Sequence, residues 1–91
     1  LKDRGKNRKR ARRAGVFYEP VNRLAVFERD RWICQVCGRR TLKAKLGKVH
    51  PLAPELDHRV PFALGGAHSW ANCQCACRSC NQAKGGHTVV G

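Results

Sequence analysis

Ninety-one residues make one small domain, and a chain of this size buries only roughly 60–65% of its unfolded surface, so its core needs a disulfide or metal staple. Nineteen Lys and Arg stand against 6 Asp and Glu, a net charge of +13, which points to a polyanion. No segment is long enough to span a bilayer and the basic N-terminus lacks the apolar run of a signal peptide, so a reducing compartment is expected, where paired CxxC motifs read as metal ligands.

The chain starts at Leu1 and contains no methionine, so it reads as a fragment or a processed product, which leaves an upstream signal open. Residues 1–15 hold eight basic side chains, Lys2, Arg4, Lys6, Arg8, Lys9, Arg10, Arg12 and Arg13, against Asp3 alone. That gives +7 in this arm and +6 in residues 16–91, so attraction to a polyanion is not confined to the arm. Its apolar groups are only Leu1, Ala11 and Ala14, and no face can pack; the expectation is a disordered, nucleic-acid-binding arm. Val16-Phe17-Tyr18 then offers a short extended lead-in.

A helix is expected from Pro20 to Asp30, with Pro20 in the first turn. Val21, Leu24 and Ala25 carry the inward helical spacing, with Phe27 alongside; Arg23, Glu28 and Arg29 are assigned to solvent. Its role is to cover the knuckle that follows. There Cys34-x2-Cys37 places two thiolates on one tight turn, and Gly38 relaxes the backbone after the second. Residues 39–54 are polar and basic and read as a loop insertion, with His50 an ordinary loop histidine before Pro51. Glu55 to Phe62 reads as a strand that sets Leu56, His58 and Val60 on one face and Asp57 and Arg59 on the other. A Gly65-Gly66 turn and a loop carrying His68 at the surface lead to a second strand, Cys73 to Ala76. A helix from Ser79 to Lys84 is stopped by Gly85-Gly86, and His87 falls in the tail.

Thirty-nine residues separate Cys37 from Cys77, and Cys77-x2-Cys80 supplies the partner pair. Four cysteines on one tetrahedral ion fill every position, so Cys34, Cys37, Cys77 and Cys80 form a structural zinc site that supplies folding free energy. Cys73 and Cys75 share a strand face with Cys77 and read as core thiols.

Asp57, His58, Asn72 and Asn81 carry a different chemistry. An aspartate and an asparagine amide oxygen can hold a hard divalent cation and leave positions for water and phosphate. A histidine beside it can take a proton from water at neutral pH.

Leu56-Asp57-His58-Arg59-Val60-Pro61, Gly65-Gly66, Asn72, Gln74 and Cys77-x2-Cys80-Asn81-x2-Lys84 together resemble the HNH endonuclease family, over about residues 32–86. The subgroup it resembles is built on a zinc-stapled ββα-metal core, an α+β fold, here preceded by an N-terminal helix and the basic arm. The resemblance implies a DNA endonuclease, with His58 as general base and Asp57 and Asn81 as ligands of a catalytic Mg²⁺ or Mn²⁺. It further implies that Asn72 braces the loop and orients His58, while Lys84 and Arg59 contact phosphate. Asn81 stands where many members carry histidine, and Cys73 and Cys75 stand where aliphatic strand residues are usual. The expected setting is the cytoplasm of a bacterial cell, with a phage terminase or another nuclease-complex subunit as a candidate partner. The alternative is a zinc-stapled DNA-binding module without catalysis.

Overall fold

The strand β2, Cys73–Cys77, is buried at all five positions, and the other elements are arranged to cover it. The computed structural model describes residues 2–87, and the side chains of residues 7–84. β2 pairs antiparallel with β1, Pro54–His58, in a register that sets Asp57 opposite Gln74 and His58 opposite Cys73. Helix α3, Arg78–His87, follows β2 without a break, giving the ββα order of an α+β domain. Helices α1, Lys2–Ala14, and α2, Arg23–Arg29, precede the sheet. Short 3-10 turns lie at Lys43–Lys45 and Phe62–Leu64.

Two small apolar clusters flank β2. Phe27, Trp32 and Cys75 form one, with Leu46 and Leu56 packed against it; Cys34, Ala76 and Cys77 form the other, with Leu52 and Cys80. Cys75 is thus a core thiol, and burial pushes it up to about 11, so it packs as a small neutral group.

The 39–54 insertion does more than bridge a gap. Thr41 is buried and donates its hydroxyl to the Trp32 carbonyl at 2.7 Å. The carbonyls of Pro51 and Ala53 accept from the N–H groups of Ser79 and Arg78, satisfying donors that the first turn of α3 would otherwise leave open.

Helix α2 is shorter than Pro20 to Asp30, and its buried face differs from the one expected. Asn22 caps it, its side-chain oxygen accepting from the N–H groups of Leu24 and Ala25, so the helix begins at Arg23 and Pro20 lies outside it. Val26 and Phe27 are buried, whereas Leu24 and Ala25 are exposed. Arg29 does not face solvent. It ion-pairs with Asp30 at 2.9 Å and donates to the carbonyls of Trp70 and Cys73 at 2.7 and 2.6 Å. Asp30 in turn accepts from the Cys75 N–H at 2.8 Å. Burial pushes the Asp30 carboxyl up, but the bonds from Arg29 and Cys75 outweigh it and hold the group below its usual value.

Residues 2–14, expected to be disordered in isolation, form helix α1 in the structure, where they pack on the rest of the chain. Arg, Lys and Ala are strong helix formers, and the small side chain of Ala11 is fully buried where α1 packs on the Phe62–Leu64 turn. Arg10 lies over the Phe62 ring at 5.1 Å, a packing role that hydropathy does not register. The side chains of Lys2, Arg4 and Lys6 lie outside the described residues.

The sheet and last helix also differ at their ends. β1 stops at His58, not Phe62, because the Asn72 side chain takes over the backbone of Val60. β2 gains Cys77, and α3 runs through Gly85-Gly86 to His87 instead of stopping after Lys84.

Asp30 is the joint between α2 and β2. Its replacement, Asp30→Ala, removes charge-assisted bonds and leaves Arg29 without its carboxylate. The zinc-loaded protein should lose about 2–3 kcal/mol of stability in urea unfolding, and a loss under about 0.5 kcal/mol would show that the joint carries little.

Candidate active site

Four sulfurs gather at the end of β2. The Sγ atoms of Cys34, Cys37, Cys77 and Cys80 all lie within 4.8 Å of one another. A tetrahedral ion with Zn–S bonds of about 2.3 Å needs sulfurs about 3.8 Å apart, so the tetrad closes on zinc with small adjustments. Each pair sits on a turn whose backbone points inward: the Cys37 N–H donates to Cys34 Sγ at 3.4 Å and the Cys80 N–H to Cys77 Sγ at 3.5 Å. Arg39 donates to Cys37 Sγ at 3.4 Å, and chiefly for that reason the Cys37 thiol is lowered to about 6. Burial raises Cys77, and burial with bonds shared among the thiols pushes Cys80 up to about 12. A thiolate at Cys37 beside the raised thiols of Cys77 and Cys80 suits an ion whose binding expels their protons. Neither Cys73 nor Cys75 belongs to the tetrad.

One turn along α3 the chemistry changes from sulfur to oxygen and nitrogen. Asp57, His58, Asn81 and Lys84 line one open cleft of about 310 Å³, together with Arg10 and Phe62. Asp57 is buried, and both of its hydrogen bonds fall on Oδ2, from Gln74 Nε2 at 2.7 Å and Lys84 Nζ at 2.9 Å. Its Oδ1 has no hydrogen-bond partner among the described residues. Asn81 donates Nδ2 to Glu55 Oε1 at 2.8 Å, and Glu55 is held in turn by Arg78 at 3.0 Å. That bond fixes the amide so that its carbonyl oxygen is the free end. A carboxylate oxygen and an amide oxygen, both unspent and on one cleft, are the donor set of a hard divalent cation.

The Lys84 ammonium is turned inward, toward the end of β1. It donates to Asp57, to the His58 carbonyl at 2.7 Å and to the Arg59 carbonyl at 3.4 Å, because those acceptors lie one turn below on β1. Arg59 itself is exposed beside them.

His58 sits between two rings, Phe62 at 4.5 Å and His68 at 5.1 Å. Its Nε2 shares a 2.9 Å hydrogen bond with His68 Nδ1. Burial, then repulsion from His68 when that ring is charged and from Arg10, lowers the His58 imidazole to about 4, so it is neutral at pH 7. His68 is not a surface residue: it is 2% exposed, and its ring is stacked on Tyr18 at 4.9 Å. His58, His68 and Cys73 also form a second group of close metal-type ligand atoms. The Asn72 side chain hydrogen-bonds to neither ring among the described residues. Its amide accepts from the Val60 N–H at 2.9 Å and donates to the carbonyls of Val60 and Ala67 at 3.0 and 2.6 Å, pinning both ends of the loop. Gly66 completes that turn, since a Cβ there would meet the Val60 carbonyl oxygen at 1.7 Å.

Three contributors escaped the sequence reading: Glu55, His68 and the extended segment at Tyr18. Glu55 had a signal, because it lies two residues before Asp57 on the same strand face. The glycine turn was a signal for His68, because it folds the loop back onto the end of β1. Tyr18 carried none.

Zinc should govern folding and site together. Stripping the metal, or Cys80→Ser, should abolish cooperative thermal unfolding and the near-ultraviolet signal of Trp32, with a return on readdition of zinc to the unsubstituted chain. Retention of both signals without bound zinc would separate the tetrad from the fold.

The family model for HNH endonuclease matches residues 34–87, from the first tetrad cysteine to the end of α3. No curated protein and no solved structure matches the chain. The match spans more than half of the residues and contains both the tetrad and the Asp57–Asn81 cleft, so the chain belongs to the HNH endonuclease family.

Proposed function

We propose that this protein is a metal-dependent DNA endonuclease that hydrolyses phosphodiester bonds, nicking or cutting duplexes with little sequence preference. The observation that carries the reading is the single cleft on which Asp57, Asn81 and a neutral His58 meet, edged by Arg10 and Lys84. Asp57 and Asn81 would hold Mg²⁺ or Mn²⁺, which supplies charge neutralisation at the phosphate and the departing oxygen. His58 takes a proton from water; the resulting hydroxide forms the new P–O bond as the ester P–O bond breaks, and solvent protonates the departing alkoxide. Asn72 holds the loop that carries this geometry. Lys84 keeps Asp57 in place and lends positive charge to the cleft.

The nucleic-acid surface continues along α1. Its described basic residues Arg8, Lys9, Arg12 and Arg13 are exposed, and Arg10 links the helix to the cleft. Such charge reads phosphates, not bases, and a domain this small has little surface for base contacts, so any sequence choice would come from a partner subunit.

Supercoiled plasmid incubated with the zinc-loaded protein and Mg²⁺ or Mn²⁺ should become nicked or linear. His58→Ala should lower the rate by about 10²–10⁴-fold at unchanged zinc content. Cleavage that survives the substitution would refute the assignment of His58. Deleting residues 1–15 should weaken duplex binding and flatten the dependence of log K on log salt by about 0.9 for each phosphate that the chain no longer neutralises. An unchanged slope would remove α1 from the interface.

A further inference from the structure

We propose that His68 is the positioning residue of the general base: its Nδ1 accepts the Nε2–H of His58, leaving His58 Nδ1 as the lone pair that receives the proton from water. The consequence for catalysis rests on the endonuclease reading above, while the geometry stands without it.

The two ring nitrogens are 2.9 Å apart, and that contact admits two neutral arrangements. If His68 donated, His58 would carry its proton on Nδ1 and have no lone pair to offer the cleft. If His58 donates, Nδ1 is the basic atom. Among the described residues Nδ1 of His58 has no hydrogen-bond partner, and the residue lines the cleft. The donating arrangement also survives the reaction, because an imidazolium formed at Nδ1 keeps its Nε2–H on the same neutral acceptor.

His68 is built to stay still. Its N–H donates to the Phe17 carbonyl at 2.8 Å, and its own carbonyl accepts from the Glu19 N–H at 2.9 Å. Tyr18, between those residues, stacks on the imidazole with the rings 10° from parallel. Burial and the nearby Arg10 charge lower the His68 imidazole, which favours its neutral, acceptor form. Phe62 closes on His58 from its own side. The pair therefore fixes both the ring plane and the tautomer of the base, the task a third residue performs in hydrolytic triads.

The test uses the full, zinc-loaded chain. Long-range ¹H–¹⁵N spectra of the imidazoles should show His58 as the Nε2–H tautomer. In His68→Ala that signature should give way to a tautomer mixture, with kcat for plasmid cleavage falling on the order of 10–100-fold and KM and zinc content unchanged. His68→Asn places an amide oxygen near the position of Nδ1 and should restore the tautomer and most of the rate. An Nδ1–H tautomer in the parent protein overturns the proposal, as does His68→Ala with the tautomer and kcat both intact. Equal losses in His68→Ala and His68→Asn would also overturn it, since packing alone would then explain the residue. Two zinc ions per parent chain, one of them lost in His68→Ala, would instead make His58, His68 and Cys73 a metal site. The expected tautomers in a protein that cuts no DNA would leave the His58–His68 hydrogen bond and its direction standing and remove the endonuclease reading with the catalytic role built on it.

Discussion

Four sulfurs within 4.8 Å of one another determine where nearly everything else in this domain can lie. They join the turn after α2 to the junction of β2 and α3, across the 39 residues between Cys37 and Cys77. Closing so long a loop costs conformational entropy that two small apolar clusters would struggle to offset. Metal–thiolate bonds can meet that cost, which is why the apolar clusters need be no larger. The consequence for the site is positional. Cys77 ends β2, Cys80 lies in the first turn of α3, and Asn81 follows it directly. The same ion that folds the chain would therefore set the distance from α3 to Asp57 on the neighbouring strand.

A second fastening, polar and independent of the tetrad, holds the opposite end of the hairpin. Arg29 reaches the carbonyls of Trp70 and Cys73, and Asp30 reaches the Cys75 N–H. The segment around Tyr18 pairs with the loop at His68, and Glu19 accepts from the Trp70 N–H at 2.8 Å. The cleft lies between the two fastenings, with its amide oxygen from the zinc side and its imidazole ordered from the loop side. In keeping with that division, the Asn72 side chain bonds only to backbone among the described residues. It stiffens the loop, and the ring contacts are left to His68 and Phe62.

The tetrad, the ββα order and the grouping of Asp57, His58 and Asn81 were legible in the sequence because each depends on local spacing. CxxC pairs on turns, a residue two places along a strand, and positions one helical turn apart all have fixed geometry. Tertiary partners were not legible. Helical periodicity put Leu24 and Ala25 inward, but the Asn22 cap starts the helix later and Val26 and Phe27 are the residues buried. Arg29 read as a solvent residue because its three backbone and carboxylate partners come from elsewhere in the chain as well as from Asp30. The arm read as disordered because no apolar face is visible in it. One buried alanine and one arginine over a phenyl ring suffice to dock it. Lys84 was correctly placed on the Asn81 face, yet the acceptors below it turn its ammonium inward.

The residues that border the base are not all inside the region that defines the family. Tyr18 and Arg10 precede residue 34, yet one holds His68 and the other helps to lower His58. This gives the basic helix a second effect besides attracting a polyanion. Burial chiefly, then His68, Arg10 and, least, Lys84, lower the His58 imidazole, so it is less basic than an ordinary histidine. On the proposed endonuclease reading, a phosphodiester in the cleft would bring negative charge against the two cations Arg10 and Lys84. By the Coulomb logic that depresses the imidazole, such a phosphate would offset part of their field, while the divalent cation proposed for Asp57 and Asn81 would add to it. On the proposed reading, the cations that would draw in a phosphodiester are thus the same ones that act on His58, which ties the basic helix to the chemistry of the cleft.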